Sequence, residues 1–156
     1  MKKEKLIVIG AVAAGTKAAS KAKRDNPSME VMIFTKDRYI SYAGCGLPYY
    51  IGGVIKEKED LLVRTPEAFK EQQDIDIYTE HEVKNVNSDT KTVTVENLRT
   101  GDISEHHYDK LIIASGASPL VPPLNNVNLE NIFTLRNPSD AFAIRELLDS
   151  GRVSSA

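Results

Sequence analysis

The chain has 156 residues, of which 41% are hydrophobic and 27% are charged, and its formal net charge is −2. These values favour one globular domain and exclude wholesale disorder, and the charge argues against a general nucleic-acid or membrane-surface binder. No apolar run approaches the roughly 20 residues that cross a bilayer, and the charged first five residues lead into a glycine turn rather than a signal peptide. The single cysteine, Cys45, cannot form an internal disulfide, so we predict a cytoplasmic location.

The first part of the chain predicts a βαβ unit. Residues 6–9 are an unbroken apolar run, which is typical of a strand buried on both faces. Residues 10–15 then begin a helix that runs to about Asp25, with a predicted apolar face of alanines at 14, 18, 19 and 22, and Asn26-Pro27 ends it. Residues 31–34 predict a second buried strand, joined to the first by a right-handed crossover.

Further elements follow a loop-rich stretch at residues 37–60. We predict a helix capped by Thr65, a short strand around Ile75 and Ile77, and an antiparallel β-meander at residues 82–86, 92–96 and 103–108. Residues 111–114 predict another buried strand, and a proline-containing loop follows it. A short strand at residues 132–135 and a final helix, capped by Ser139 and ended by Gly151, complete the predicted elements.

The turn GAVAAG at residues 10–15 lies between a strand and a helix, as a dinucleotide-binding fingerprint requires. Gly10 allows a tight turn, Gly15 allows close helix packing, and the helix N-terminus offers N–H groups to a diphosphate. Val12 occupies the position of the usual second glycine, and Thr35 stands where an acidic residue normally holds the ribose. The motif alone therefore leaves two readings open, a nucleotide site or a plain strand-to-helix turn.

The sequence SYAGCGLPYYIGG at residues 41–53 surrounds Cys45 with glycines, which allow other groups to approach the sulfur closely. Pro48 suits the first turn of a short helix, and a thiol near a helix N-terminus is stabilised as the reactive thiolate. The alternative is a packing cysteine in a glycine-rich turn. The histidines at 81, 106 and 107 have no metal-ligand companions, and the last two should face opposite sides of a strand, so we assign no metal.

Taken together, the turn at 10–15, the cysteine loop at 41–53 and the sequence YDKLIIASG at 108–116 resemble the single-cysteine branch of the pyridine nucleotide-disulfide oxidoreductases. The likeness is strongest to the coenzyme A-disulfide reductase and NADH oxidase group and covers residues 6–148. That group also carries Val at the second fingerprint position. Tyr50 stands where the two-cysteine branch has its second redox cysteine, so chemistry within this chain must use one sulfur.

The resemblance implies an α/β, Rossmann-like FAD-binding domain: a parallel sheet with helices plus an antiparallel β-meander, truncated before the NAD(P)-binding domain. We expect that domain at residues 1–117, a closing loop, strand and helix at 118–150, and the start of a linker at 151–156. It also implies Cys45 as catalytic residue and a tightly bound, non-covalent FAD. The implied cofactor-binding residues are Gly10, Val12, Ala13, Ala14, Gly15, Thr35, Lys36, Cys45, Val83, Ala114, Ser115, Gly116 and Arg136.

A basic stripe, defined as Lys17, Lys21 and Arg24, lies on one face of the first predicted helix. Such a stripe is often only a solvated surface. In the resembling reductases the matching positions contact coenzyme A, as do those of Ser41 and Gly44, so these five residues are the implied substrate site. Many relatives have Asn at the position of Gly44, a departure that leaves the substrate open.

For the full-length, homodimeric enzyme the resemblance implies that NAD(P)H reduces FAD, and that the electrons then reach a mixed disulfide between Cys45 and coenzyme A. The main alternative is an NADH oxidase or peroxidase in which Cys45 passes through sulfenic acid. A third reading is a non-catalytic flavin-binding module, which would describe the isolated chain. We expect no membrane or nucleic-acid partner.

Overall fold

The computed structural model describes residues 3–153, and their backbone contacts divide them into two compact units. The first unit contains the described residues up to Ser41 and the segment Arg64–Gly116. The second contains Tyr42–Val63 and the described residues from Ala117 onward. The domain boundaries expected from the sequence stay predictions, and residues 154–156 of the expected linker lie outside the described residues.

A four-stranded parallel sheet, ordered β3-β2-β1-β7, forms the centre of the first unit. Its strands are β1 (Lys5–Ile9), β2 (Glu30–Phe34), β3 (Ile75–Tyr78) and β7 (Lys110–Ile113). In register, Ile9 lies beside Phe34 on one side and Ile113 on the other, so three strands end at the same edge. Strands β1 and β2 are buried on both faces because helices cover one side and a second sheet covers the other.

Two helices of the first unit confirm their predicted signals. Helix α1 (Ala13–Asp25) ends at Asn26, and helix α3 (Pro66–Gln73) begins after Thr65, whose side chain accepts a hydrogen bond from the Ala68 N–H. One face of the sheet packs against these helices around Val8, Val31 and Phe69, all at most 3% exposed. Burial of such side chains contributes roughly 1.5–3 kcal/mol each.

The buried face of α1 differs from the predicted alanine face. Ala14 is exposed, and the buried positions are Gly15, Thr16, Ala19 and Ser20. The polar Thr16 is tolerated because its hydroxyl donates to the Val12 carbonyl within the same helix. Close approach at Gly15 rotates the helix so that the 15–16–19–20 stripe meets the sheet.

The predicted β-meander is confirmed as a three-stranded sheet ordered β4-β5-β6. Its strands are β4 (His81–Asn87), β5 (Thr92–Asn97) and β6 (Ile103–His107). The Asn87 and Asn97 side chains accept backbone hydrogen bonds that shape the two turns. Val93 and Val95 point into the parallel sheet and are fully buried, so the meander covers the face opposite the helices.

The regular elements of the second unit are helical, within the described residues. It contains a 3₁₀ turn at Gly44–Gly46, helix α2 (Leu47–Ile51), a 3₁₀ turn at Lys58–Leu61 and helix α4 (Pro138–Asp149). The predicted cap of α4 was wrong: Asn137, not Ser139, accepts from the Asp140 N–H, and Asp140 bonds back to the Asn137 N–H. Pro138 then supplies the first helical residue, a position that suits its fixed φ.

The strand predicted at residues 132–135 does not form. In this segment Ile132, Phe133 and Leu135 are 49%, 41% and 40% exposed. A strand requires a hydrogen-bonded neighbour, and the described part of the chain supplies none beside this segment. Gly151 does end α4 in the left-handed conformation, with φ +69°, as predicted.

Candidate functional site

The carboxyl edge of the parallel sheet gathers most of the residues that the sequence marked for a nucleotide. The chain runs outward from β1 to β2 and β3 on one side, whereas β7 lies on the other side of β1. The crevice between β1 and β7 is therefore a topological switch point, where open α/β sheets bind ligands. Gly10 and Ala114 follow these two strands, and the Ala114 N–H donates to the Ile9 carbonyl over 2.8 Å.

Gly10 and Gly15 are required by close backbone approach. Gly10 has φ +104°, and a Cβ atom there would lie 2.3 Å from the Ala114 carbonyl oxygen. A Cβ atom at Gly15 would lie 1.9 Å from the Gly10 carbonyl oxygen and 3.2 Å from the Val8 side chain. The turn at 10–15 is therefore held tightly onto β1, which places the first turn of α1 at the carboxyl edge.

The first turn of α1 is able to hold an anion. Its N-cap residue, Val12, makes no side-chain capping bond, and the turn contains no acidic residue. The early N–H groups and the positive end of the helix dipole are therefore not neutralised by the helix's own side chains. Ala13 and Ala14 are exposed in that turn, so their small side chains leave the backbone accessible.

Other predicted cofactor residues lie in the same unit and differ in how far they are exposed to solvent. Thr35 follows β2 but is only 5% exposed, and its hydroxyl lies 3.4 Å from the Asp37 N–H. Lys36 is exposed beside it, and Val83 is half-buried against the core between the two sheets. Ser115 and Gly116 are exposed after β7.

The basic stripe lies on the exposed face of α1, as predicted. Lys17, Lys21 and Arg24 are all exposed. The Lys21 ammonium forms an exposed ion pair with Asp25, one turn farther along the helix. Ser41, another predicted substrate residue, has φ +45° and donates its N–H to the Ala11 carbonyl over 2.9 Å. The first unit thus places Ser41 beside the turn at 10–15.

The second unit presents the sulfur in the open. Cys45 is unpaired and exposed, within the 3₁₀ turn at Gly44–Gly46. A Cβ atom at Gly44 would meet only the Tyr42 ring, at 3.8 Å, so the chain leaves space before the sulfur. Gly46, on the other side of the sulfur in sequence, is buried, and a Cβ atom there would lie 2.8 Å from the Leu61 side chain. This placement excludes the alternative of a cysteine sealed inside apolar packing.

The cysteine loop is tied down at both ends. The Ala43 N–H donates to the Leu61 carbonyl over 2.8 Å, and Tyr42 forms a bridge with Leu62. At the far end of α2, the Arg145 guanidinium donates from Nη1 to the Ile51 carbonyl over 3.0 Å. The sequence analysis did not single out Arg145, because only its i,i+4 spacing to Asp149 is visible in the sequence.

Arg136, the last predicted cofactor residue, lies outside any strand. Its Nε donates to the Ala117 carbonyl over 2.8 Å, and its backbone N–H bonds to Asp140. The side chain is exposed. Arg136 therefore links the proline-containing loop to the start of α4.

Histidine positions match the strand geometry predicted for them. His106 is half-buried, with its ring centroid 4.9 Å from that of Phe34, whereas His107 is exposed. Burial lowers the pKa of His106, and the nearby Lys5 and His81 add to that effect. Residues 3–153 contain no group of three or more His, Cys, Asp or Glu side chains placed to hold a metal ion. No helix in that part of the chain combines the length and apolarity needed to cross a bilayer.

Comparisons with known proteins agree with this arrangement. The chain is similar to a coenzyme A disulfide reductase of Staphylococcus haemolyticus, at 44% identity over 97% of this chain and 34% of that protein. A coenzyme A disulfide reductase of Staphylococcus aureus is 41% identical over 96% of this chain and 33% of its own length. The chain thus spans about a third of the curated relatives that it matches.

Solved structures give the same fold. The reduced CoADR-RHD of Bacillus anthracis superimposes with a TM-score of 0.93 at 37% identity, covering 97% of this chain and 28% of that one. A water-forming NADH oxidase of Lactobacillus brevis, bound to NADH, gives 0.87 at 29% identity, covering 96% and 33%. These likenesses confirm the predicted fold class. A family model matches residues 4–154, and the chain belongs to the pyridine nucleotide-disulphide oxidoreductase family.

Proposed function

We propose that Cys45 is the redox-active thiol of an NAD(P)H-dependent, FAD-containing disulfide reductase whose substrate is coenzyme A disulfide. The observation that carries the proposal is the exposed, unpaired sulfur at the start of a helical segment, bordered by an open glycine. The relatives at 44% and 41% identity, each named coenzyme A disulfide reductase, supply the substrate class.

The carboxyl edge of the first unit fits FAD. Its uncapped helix turn suits a diphosphate, and the tight approach at Gly10 and Gly15 fixes the direction of the N–H groups. When bound, FAD supplies a two-electron relay between nicotinamide and sulfur. We propose as its binding residues the set expected from the sequence: Gly10, Val12, Ala13, Ala14, Gly15, Thr35, Lys36, Cys45, Val83, Ala114, Ser115, Gly116 and Arg136.

The chemistry proposed for Cys45 is thiol–disulfide exchange. Its thiolate attacks one sulfur of the substrate disulfide, so that a new S–S bond forms, the old one breaks and one coenzyme A leaves as thiolate. Two electrons that originate in NAD(P)H then cleave the mixed disulfide, which releases the second coenzyme A and restores the Cys45 thiolate. Over one cycle, one disulfide, one NAD(P)H and one proton give two thiols and NAD(P)⁺.

Coenzyme A carries phosphates, and the basic stripe is the surface that we propose for them. Lys17, Lys21 and Arg24 present three exposed cations on one face of α1, and Ser41 lies at the turn beside that helix. Lys21 already faces Asp25, so phosphate binding there must exchange one ion pair for another. Gly44, in the second unit, is the fifth substrate residue expected from the sequence, and a Cβ atom there would meet only the Tyr42 ring within 4 Å.

The test uses the full-length protein that contains this chain. Incubation with coenzyme A disulfide should add one coenzyme A to Cys45, seen by intact mass, and NAD(P)H should remove it. The variant Cys45→Ser should form no adduct and lose turnover. Lys21→Ala should raise the KM for coenzyme A disulfide, whereas Lys84→Ala, a similarly exposed and ion-paired lysine on β4, should leave it unchanged. Unchanged KM in Lys21→Ala would refute the stripe, and turnover by Cys45→Ser would refute the thiol.

A second candidate function is an NADH oxidase or peroxidase, and the fold shared with the Lactobacillus brevis oxidase favours it. In this case the Cys45 thiolate attacks peroxide, forming an S–O bond and releasing hydroxide. Two electrons and a proton then convert the sulfenic acid to thiolate and water. Parallel assays with coenzyme A disulfide, oxygen and peroxide distinguish the two functions.

The isolated chain is a separate case. Since it spans about a third of its relatives, we propose that by itself it is a non-catalytic flavin-binding module. A yellow, FAD-containing protein would support this, and a colourless protein that takes up no added FAD would refute it. The homodimer and the cytoplasmic location expected from the sequence stay predictions.

A further inference from the structure

The helical segment that carries Cys45 is continuous. The 3₁₀ turn at Gly44–Gly46 leads directly into α2, Leu47–Ile51, and the Leu47 N–H donates back to the Gly44 carbonyl. At about 1.5 Å per helical residue, Ile51 lies on the order of 9 Å from Cys45 along this segment. Whatever fixes the Ile51 end therefore fixes the direction in which the whole segment, including the sulfur, points.

Arg145 on α4 fixes that end. Its Nη1 donates to the Ile51 carbonyl over 3.0 Å, one of the last carbonyls of α2 and thus without a partner inside the helix. The guanidinium is oriented by Asp149, which accepts from its Nε over 2.9 Å and from its Nη2. This bidentate pair leaves only one direction for the remaining nitrogen.

The surrounding residues leave room for this contact and support it. Gly53, with φ +74°, passes so close that a Cβ atom there would lie 3.0 Å from the Arg145 Nη1. One turn before Arg145 along α4, the Phe142 ring meets Tyr50 edge-on, with centroids 5.3 Å apart. The Lys58 ammonium lies 5.0 Å from the centroid of the same ring. Arg145 is therefore the polar part of a packed contact between α4 and α2.

We propose that Arg145 is a positioning residue for the Cys45 thiol, acting through the C-terminal end of α2. A tilt of α2 by about 10° about its Ile51 end would move Cys45, on the order of 9 Å away, by roughly 1.5 Å. A misplacement of about 1 Å can reduce a rate on the order of a hundredfold. This inference rests on the proposed function of Cys45 and adds to it a residue that acts through α2.

The test compares Arg145→Gln, Arg145→Lys and the control Arg152→Gln in the full-length protein. Arg152 is also exposed and its side chain contacts Ser150. Hydrogen exchange at the amides of residues 52–55 reports the end of α2 directly. In Arg145→Gln we expect these amides to exchange at least roughly ten times faster than in the wild type, since a charged hydrogen bond is lost. In Arg152→Gln we expect the wild-type rate.

Two activity readouts complete the experiment. Alkylation of reduced Cys45 by iodoacetamide should change in rate, and kcat for disulfide reduction should fall at least tenfold, with bound FAD unchanged. Arg145→Lys, which keeps the positive charge and an N–H donor, should recover part of both. Wild-type exchange, alkylation and kcat in Arg145→Gln would overturn the inference. If instead the wild-type protein reduces no disulfide but the exchange changes as expected, the proposed function fails while the contact with α2 stands.

Discussion

Substitution of Gly15 by alanine is the sharpest perturbation of the turn at 10–15. The new Cβ atom would start 1.9 Å from the Gly10 carbonyl oxygen, whereas ordinary contact begins at 3.4 Å. Helix α1 must therefore move back by about 1.5 Å from the turn, because the Gly10 carbonyl is backbone and a Cβ atom has no torsion that could turn it away. Overpacking costs roughly 1–3 kcal/mol, and alanine regains roughly 1 kcal/mol of helix propensity. Since the Gly10 carbonyl cannot move aside as a side chain would, we expect the free energy of unfolding to fall by about 2 kcal/mol.

The same movement should weaken FAD binding. Hydrogen bonds from backbone N–H groups need about 2.7–3.2 Å, so a displacement of about 1.5 Å breaks the contacts that we propose for the diphosphate. Loss of one charge-assisted bond corresponds to a tenfold or larger loss of affinity. The assay is the free energy of unfolding in urea together with bound flavin per chain, measured on the full-length protein.

Gly101→Ala is the matched control. Gly101 also has a positive φ, +79°, but a Cβ atom there meets nothing within 4 Å. Its left-handed backbone should cost roughly 1–2 kcal/mol, similar to the loss at Gly15, while the flavin content stays at the wild-type value. Full flavin content in Gly15→Ala, or an equal flavin loss in both variants, would refute this account of the turn.

Three further predictions concern stability. Thr65→Ala removes the cap of α3 and should cost about 0.5–2 kcal/mol in urea unfolding, whereas Thr65→Ser should retain most of it. Hydrogen bonds from Lys70 and Lys23 lower the pKa of Asp74 to about 2. The contribution of Asp74 to the free energy of unfolding is therefore complete above its pKa in the unfolded chain and is lost as pH falls through about 2. Asp74→Asn should remove this part of the acid dependence, and an unchanged acid midpoint in the variant would contradict the prediction. Burial lowers the pKa of His106, so as pH falls the unfolded chain takes up a proton at this histidine before the folded chain does. The free energy of unfolding should therefore decrease as pH drops below about 6.5. His106→Gln should reduce this dependence on pH, and an equally steep dependence in the variant would contradict the prediction.

Much of the fold could be predicted because its signals are local. Short apolar runs marked the strands that became β1 and β2, since a strand buried on both faces is apolar at nearly every position. Thr65 and Gly151 marked helix ends through their own side-chain and backbone chemistry. The alternation in the meander likewise reflects one buried face.

The errors arose where structure depends on distant partners. Residues 132–135 have the composition of a strand but find no neighbouring strand in the described chain. The error in the cap of α4 arose because Asn137 and Ser139 both have side chains that can cap a helix. Proline favours the first helical position, so Pro138 makes the preceding residue, Asn137, the cap. The buried face of α1 follows from the close approach at Gly15, which overrides the alanine pattern.

The candidate site shows the same division. The turn at 10–15 and the loop around Cys45 could be recognised from the sequence, because the glycines and the cysteine that define them lie within short continuous segments. The contact between Arg145 and the Ile51 carbonyl joins residues 94 positions apart, and a backbone carbonyl leaves no signature in a sequence. The proximity of Ser41 to Ala11 is likewise a backbone contact.

The visible spectrum of the two-electron-reduced, full-length protein tests most directly whether the Cys45 sulfur works on a flavin. A thiolate against an oxidised flavin should give a long-wavelength charge-transfer band that is absent in Cys45→Ser but retained in Gly151→Ala, where a Cβ atom would meet nothing within 4 Å. A band that persists without the sulfur, or no band in a protein that holds FAD and a reduced Cys45, would contradict the assignment.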